Sequence, residues 1–121
     1  MRVELADLSL VRPDGATLLD GVTLTVPAGQ FCAVLGRSGA GKSSLLRVLG
    51  GIVTPTAGQA RIGGVSLLPA MPAALRRRIG QVHQDGALVA EASCAENIVS
   101  GAVPTMPQWR ALTGCYPQWA R

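Results

Sequence analysis

Phe31-Cys32-Ala33-Val34-Leu35-Gly36-Arg37-Ser38-Gly39-Ala40-Gly41-Lys42-Ser43-Ser44 is the stretch on which the fold turns. Its first five residues are apolar without a break, the pattern of a strand buried on both faces in a parallel sheet. Residues 36–43 then satisfy G-x-x-x-x-G-K-[ST] in full. Beyond them Leu45, Val48, Leu49 and Ile52 recur at helical spacing, until Gly50-Gly51 and Pro55 end the pattern. A buried strand, a glycine-rich turn and an amphipathic helix, in that order, form the setting in which such a turn holds phosphate. A turn of this kind can also simply cap a helix and hold no ligand.

The chemistry explains the residue types. Glycines accept positive φ and let the backbone approach an anion closely, so successive N–H groups converge on it. A helix starting near Lys42 adds the partial positive charge of its N-terminus. The site expected from this pattern comprises Gly36, Arg37, Ser38, Gly39, Ala40, Gly41, Lys42, Ser43 and Ser44. Lys42 reaches the β- and γ-phosphates as a point charge, Ser43 ligates Mg²⁺, and Ser44 offers a donor toward the α-phosphate. Arg37 and Ser38 occupy variable positions of the pattern. Of eleven basic residues ten are arginine, and Lys42 is the lone lysine. A compact ammonium has been kept where a planar guanidinium was used everywhere else.

Outward from the loop, Val3 to Leu10 alternate with a phase slip at Ala6-Asp7 that suggests a bulge. Pro13-Asp14-Gly15 signals a turn, and Val22, Leu24 and Val26 continue the alternation. This predicts an antiparallel, half-exposed ribbon. On the C-terminal side, a hairpin is expected around Gly63-Gly64. A helix starting at Pro72 should place Leu75 and Ile79 on one face. A short strand is expected over 79–83 and a helix near 92–100.

Composition bounds the class. At 121 residues and 48% apolar, the chain is too hydrophobic for disorder. It is too interrupted for a membrane helix, and Glu4 and Asp7 argue against a signal peptide. A soluble, cytoplasmic polypeptide is expected. The net charge of +4 is spread along the chain without interleaved aromatics, so no nucleic-acid partner is expected. Arg76-Arg77-Arg78 reads as a solvated helix face. Three widely spaced cysteines read as buried thiols, and His83 as a satisfied histidine at a strand end.

Taken together, the chain resembles the N-terminal half of an ATP-binding cassette (ABC) transporter ATPase subunit. The resemblance rests on the loop and on five flanking segments. These are residues 18–26, Pro27-Ala28-Gly29-Gln30, Leu49-Gly50-Gly51-Ile52-Val53-Thr54-Pro55-Thr56-Ala57-Gly58, Arg78-Ile79-Gly80-Gln81-Val82-His83-Gln84, and Glu96-Asn97-Ile98. It implies an α/β fold: a P-loop NTPase core with an N-terminal antiparallel β-subdomain, lacking the C-terminal half. The expected parts are a β ribbon over 1–30, the loop strand and helix up to the glutamine loop over 31–85, and the start of a helical subdomain over 86–121. The resemblance also implies ATP and Mg²⁺ as ligands, with Gln84 sensing the γ-phosphate and metal. Without the flanking match, Gln84 would read as a surface residue. Arg12 stands where the family has an aromatic that stacks on adenine. A guanidinium can stack likewise, or Arg12 is a solvated turn residue.

The implied partners are membrane permease subunits and a second ATPase subunit in a head-to-tail dimer, on the inner face of the cell membrane. The tail from Gly101, with Trp109 and Tyr116-Pro117-Gln118-Trp119, resembles an insertion of phosphonate-import ATPases; packing rings of a helical subdomain are the alternative. Residues 1–121 contain neither an apolar strand ending in Asp-Glu nor a Leu-Ser-Gly-Gly signature. The chain alone is therefore expected to hydrolyse ATP poorly or not at all. A small P-loop kinase and a degenerate nucleotide-binding protein are the competing readings. With half of the resembled domain present, unpaired edges, exposed apolar faces and aggregation are expected.

Overall fold

Alternation of apolar residues gives two long strands, β1 (Val3–Val11) and β2 (Thr17–Val26), which pair antiparallel across the turn at residues 12–16. The computed structural model describes residues 1–82, 89 and 91–100, and side chains through residue 98. It divides into two units, Met1–Ile79 and Gly80–Arg121, each described by itself.

In the first unit, Asp7 adopts φ +49, and the β1–β2 register shifts between Leu5 and Leu8. The expected bulge is therefore present. The Asp7 N–H donates to Thr23 Oγ1 at 3.1 Å, which satisfies a donor that the interrupted ladder leaves over. The ribbon is also wider than the sequence suggests. Strand β3 (Ala57–Ile62) pairs antiparallel with the free edge of β1, with Val3 opposite Ile62, and β4 (Val65–Ser66) completes the order β2-β1-β3-β4. Gly63 and Gly64, with φ +59 and +80, form the hairpin turn between β3 and β4.

Helix α1 (Lys42–Leu49) buries Leu45 and Val48 and half-buries Leu49, one stripe at i, i+3, i+4. These meet Leu5, Leu8, Leu10 and Leu19 from the sheet, with Leu8 and Val48 fully enclosed. Burying each such side chain contributes roughly 1.5–3 kcal/mol. The helix stops at Gly50, after which the Ile52 N–H returns to the Arg47 carbonyl. Helix α2 (Ala73–Arg76) follows Pro72 and buries Leu75, but it ends four residues in. Ile79 still packs against the core, from beyond the helix. Arg76, Arg77 and Arg78 are all exposed, as expected of a solvated face, and the Arg76 guanidinium also donates to the Gly51 carbonyl at 2.8 Å.

Three expectations are corrected. Residues 31–35 form no strand, and Phe31 and Leu35 are 95% and 89% exposed. An apolar run becomes a buried strand only when neighbouring strands flank it, and none does among the described residues. Residues 79–82 likewise form no strand. Cys32 and Cys94 are exposed rather than buried, because Cys32 lies in the unpaired run and Cys94 opens a helix. His83, Gln84, Cys115 and the tail from Gly101 lie outside the described residues.

In the second unit, α3 (Cys94–Ser100) begins with a capping box, Ser93-x-x-Glu96. The Ser93 N–H donates to Glu96 Oε2 at 2.7 Å, and the Glu96 N–H to Ser93 Oγ at 3.2 Å.

Candidate phosphate-binding site

Between residue 36 and α1 the chain makes a tight excursion held by glycine. Gly39 and Gly41 both have φ +83, a conformation that L side chains rarely adopt. Gly41 is needed twice over. A Cβ there would collide with the Leu18 carbonyl oxygen and touch Leu19 Cδ2 of β2. The loop is thereby seated against the sheet at the position where the helix starts. At the other end, a Cβ on Gly36 would sit 3.3 Å from Ala40 Cβ. The concavity would narrow. An Ala40 N–H to Arg37 carbonyl bond of 3.2 Å closes the turn between them.

Lys42 folds back across this concavity. Its ammonium donates to the carbonyl oxygens of Gly36 at 2.8 Å and Arg37 at 2.7 Å. Two of its three protons are thus fixed, and the charge is held at the loop rather than swinging free. The first N–H groups of α1, from Lys42, Ser43 and Ser44, have no acceptor within the helix, and no side chain caps them. No acidic residue lies in the first turn. A cation, uncapped helix N–H donors and a glycine backbone open to close approach converge on one place. That donor set suits a polyphosphate: it offers several N–H groups and a positive charge, with no acidic side chain in the first turn of α1 to repel the anion.

The loop residues expected from the sequence, Gly36 to Ser44, are thus brought together. Arg12 is not joined to them. Its N–H pairs with the Ala16 carbonyl, and its guanidinium lies 2.7 Å from Asp14 of the same turn. Both side chains are more than half exposed. Periodicity missed two residues with structural duties. Thr56 Oγ1 accepts from the Val11 N–H and donates to the Ser9 carbonyl, tying the return from α1 to the end of β1 next to Arg12. Asn97 accepts from the Val89 N–H at 2.9 Å and donates to the carbonyls of Val89, Ala92 and Ser93. Its amide closes the segment before α3. Only the Glu96-Asn97 resemblance singled it out beforehand.

A glycine loop opening a helix beside this sheet defines a P-loop NTPase of the ATP-binding cassette kind. The ABC transporter family profile matches residues 19–119, and the chain belongs to that family. It is 39% identical over 114 residues to a phosphonates import ATP-binding protein of Hyphomonas neptunium, covering 94% of this chain and 44% of that protein. A namesake from Chromohalobacter salexigens is 40% identical over 118 residues, with 95% and 43% covered. The chain spans less than half the length of these relatives. Among solved structures it is similar to the ATP-binding cassette MJ0796 in a dimeric post-hydrolysis state bound to ADP and Pi. That match has a TM-score of 0.79 and 25% identity over 92% of this chain and 54% of that one. Among the described residues no helix is long and apolar enough to cross a membrane.

Proposed function

We propose that the chain binds Mg-ATP at residues 36–44, as part of the ATP-binding subunit of an importer of phosphonate-type solutes. The observation that carries the reading is Lys42, held by the Gly36 and Arg37 carbonyls at the uncapped start of α1. Bound Mg-ATP would supply the free energy of phosphoanhydride cleavage to transport. Gly36, Gly39, Ala40 and Gly41 provide backbone that an anion can approach, and Lys42 provides charge. Ser43 and Ser44, in the first turn, provide hydroxyls for the metal and the α-phosphate. Arg12 leaves Asp14 to stack on the base. Gln84 senses the γ-phosphate and its metal. The cargo class rests on the relatives named for phosphonate import. The permease partners, the second ATPase subunit and the place on the inner membrane face rest on membership of the ABC family.

Phosphoryl transfer depends on positioning a nucleophile and neutralising charge on all sides of the phosphate. Residues 1–121 supply one side only, with no Asp-Glu strand end and no signature sequence. The chain alone therefore binds without appreciable turnover. Calorimetric titration with Mg-ATP, against Mg-AMP and against the Lys42→Ala chain, tests the binding. Saturable heat with ATP that both controls lack supports it, and equal heats in all three refute it. Phosphate release well above that of Lys42→Ala would refute the lack of turnover.

A further inference from the structure

The ladder between β1 and β3 ends with the pair Ser9 and Ala57, two residues before β1 itself ends at Val11. Thr56, immediately before β3, carries it on. Its N–H and its Oγ1 both donate to the Ser9 carbonyl, at 2.9 and 3.0 Å, and Oγ1 accepts from the Val11 N–H at 3.1 Å. A hydroxyl donates and accepts at once, so it can bridge a carbonyl and an N–H of one strand, which an aliphatic side chain of the same size cannot. On the opposite edge Val11 lies across from Thr17, and the Arg12 N–H closes the turn on the Ala16 carbonyl. The last residue before Arg12 is thus held from both sides, and on one side by a single hydroxyl.

The turn so held stands beside the phosphate loop. Leu10 pairs with Leu19 and Val11 with Thr17, so the register passes over Leu18, whose carbonyl is the group against which Gly41 is seated. Arg12 lies two residues further along the ribbon than Leu18, about 7 Å at the ordinary rise of a strand. The turn is therefore within a nucleoside's length of the loop. Among the described residues the Arg12 guanidinium pairs only with Asp14 of its own turn, so its direction follows that of the turn. We infer that Thr56 is a positioning residue for recognition of the nucleotide's base: it touches no ligand, and it holds the 12–16 turn where Arg12 meets the base. This rests on the reading that Arg12 stacks on the base. The phosphate loop does not need the hydroxyl, since Lys42 is held by Gly36 and Arg37, and Gly41 is seated on Leu18. Base binding and phosphate binding should therefore separate in a Thr56 variant.

The test titrates the 121-residue chain by calorimetry with Mg-ATP and with Mg-tripolyphosphate, which offers phosphates and no base. The ratio of the two affinities is the measure. Arg12→Ala should lower it by ~5-fold or more, the lower end of what stacking one base is worth. Thr56→Val should lower it to a similar extent, with the tripolyphosphate affinity unchanged, and Thr56→Ser should restore it. Adding Thr56→Val to Arg12→Ala should lower it no further, because the two act through one contact. Thr56 is exposed and valine has nearly its shape, and tripolyphosphate binding reports in each variant that the loop is intact. Exchange of the Val11 amide should quicken in Thr56→Val and not in Arg12→Ala. Thr56→Val lowering both affinities alike marks a merely structural role and overturns the proposal. So does a Thr56→Val ratio equal to the parent's while Arg12→Ala lowers it. An Arg12→Ala ratio equal to the parent's refutes the stacking reading, and the positioning role with it. A parent chain that binds neither ligand refutes the phosphate site and both.

Discussion

The Lys42 ammonium donates to the Gly36 carbonyl oxygen at 2.8 Å, so the two ends of the glycine loop are joined by a side chain that carries a positive charge. Lysine here has two duties, charge and closure. Lys42→Ala removes both, and the affinity for Mg-ATP should fall by ~10- to 100-fold, the equivalent of about 1.4–2.8 kcal/mol. Lys42→Arg keeps the charge, but a planar fork cannot place its donors as a compact ammonium does. It should bind nearer to alanine than to the parent. Titration calorimetry on the three chains checks the order.

Two loop glycines share φ +83 but differ in surroundings. Nothing lies within 4 Å of a Cβ built on Gly39, whereas one on Gly41 meets the Leu18 carbonyl. Gly39→Ala should therefore cost only the backbone strain, about 1 kcal/mol. Gly41→Ala adds the displacement of α1 from β2 and should cost about 2–3 kcal/mol or more. Urea unfolding of both variants separates strain from collision. Equal losses would mean that Gly41 is not seated on β2.

The carboxylate of Glu96 accepts from the Ser93 N–H and is held further by the Ser93 hydroxyl, and together these lower its pKa below the ordinary glutamate value. The folded value is depressed, so the capping contribution is complete above the unfolded pKa. It is lost as pH falls through the folded one. Carboxyl chemical shifts followed by nuclear magnetic resonance should show Glu96 titrating below a free glutamate. Ser93→Ala should raise it, and α3 should fray at a higher pH in that variant.

Asn97 makes one accepted and three donated bonds to the segment from Val89 to Ser93. Asn97→Asp keeps the acceptor and removes every donor, while placing a charge among three carbonyls. The Val89 amide should exchange ~10-fold faster or more, consistent with about 1–3 kcal/mol for partners left unsatisfied. Asn97→Ala should accelerate it as well. Exchange unchanged in both would mean that Asn97 does not clamp the segment before α3.

Much of this was legible in the residues. The turn at 13–15, the bulge at Asp7, the glycine loop and the start of α1 at Lys42 are all written in local patterns, because each is fixed by φ preferences or by spacing within a few residues. The pairing of β3 with β1 was not foreseen, since nothing in a local window tells Ala57–Ile62 which edge to join. Residues 31–35 were misjudged for a related reason. Apolar character records the surroundings a segment is suited to, not whether they are present. The hydrogen bonds of Thr56 and Asn97 escaped notice because a single amide or hydroxyl leaves no periodic trace.

The partnership of Val3 with Ile62 also sets an order of events. During synthesis the β1–β2 hairpin emerges early, and by itself such a hairpin is marginal in water. Its second edge stays vacant while the whole glycine loop and α1 are being made, and closing that long excursion costs entropy before the pairing offsets it. The phosphate loop is thus complete before the sheet beneath it is, and the nascent chain passes through a stage in which the edge of β1 is open to the wrong strand. Asp7, which kinks that edge between Ala6 and Ser9, interrupts the register along which a wrong strand would add.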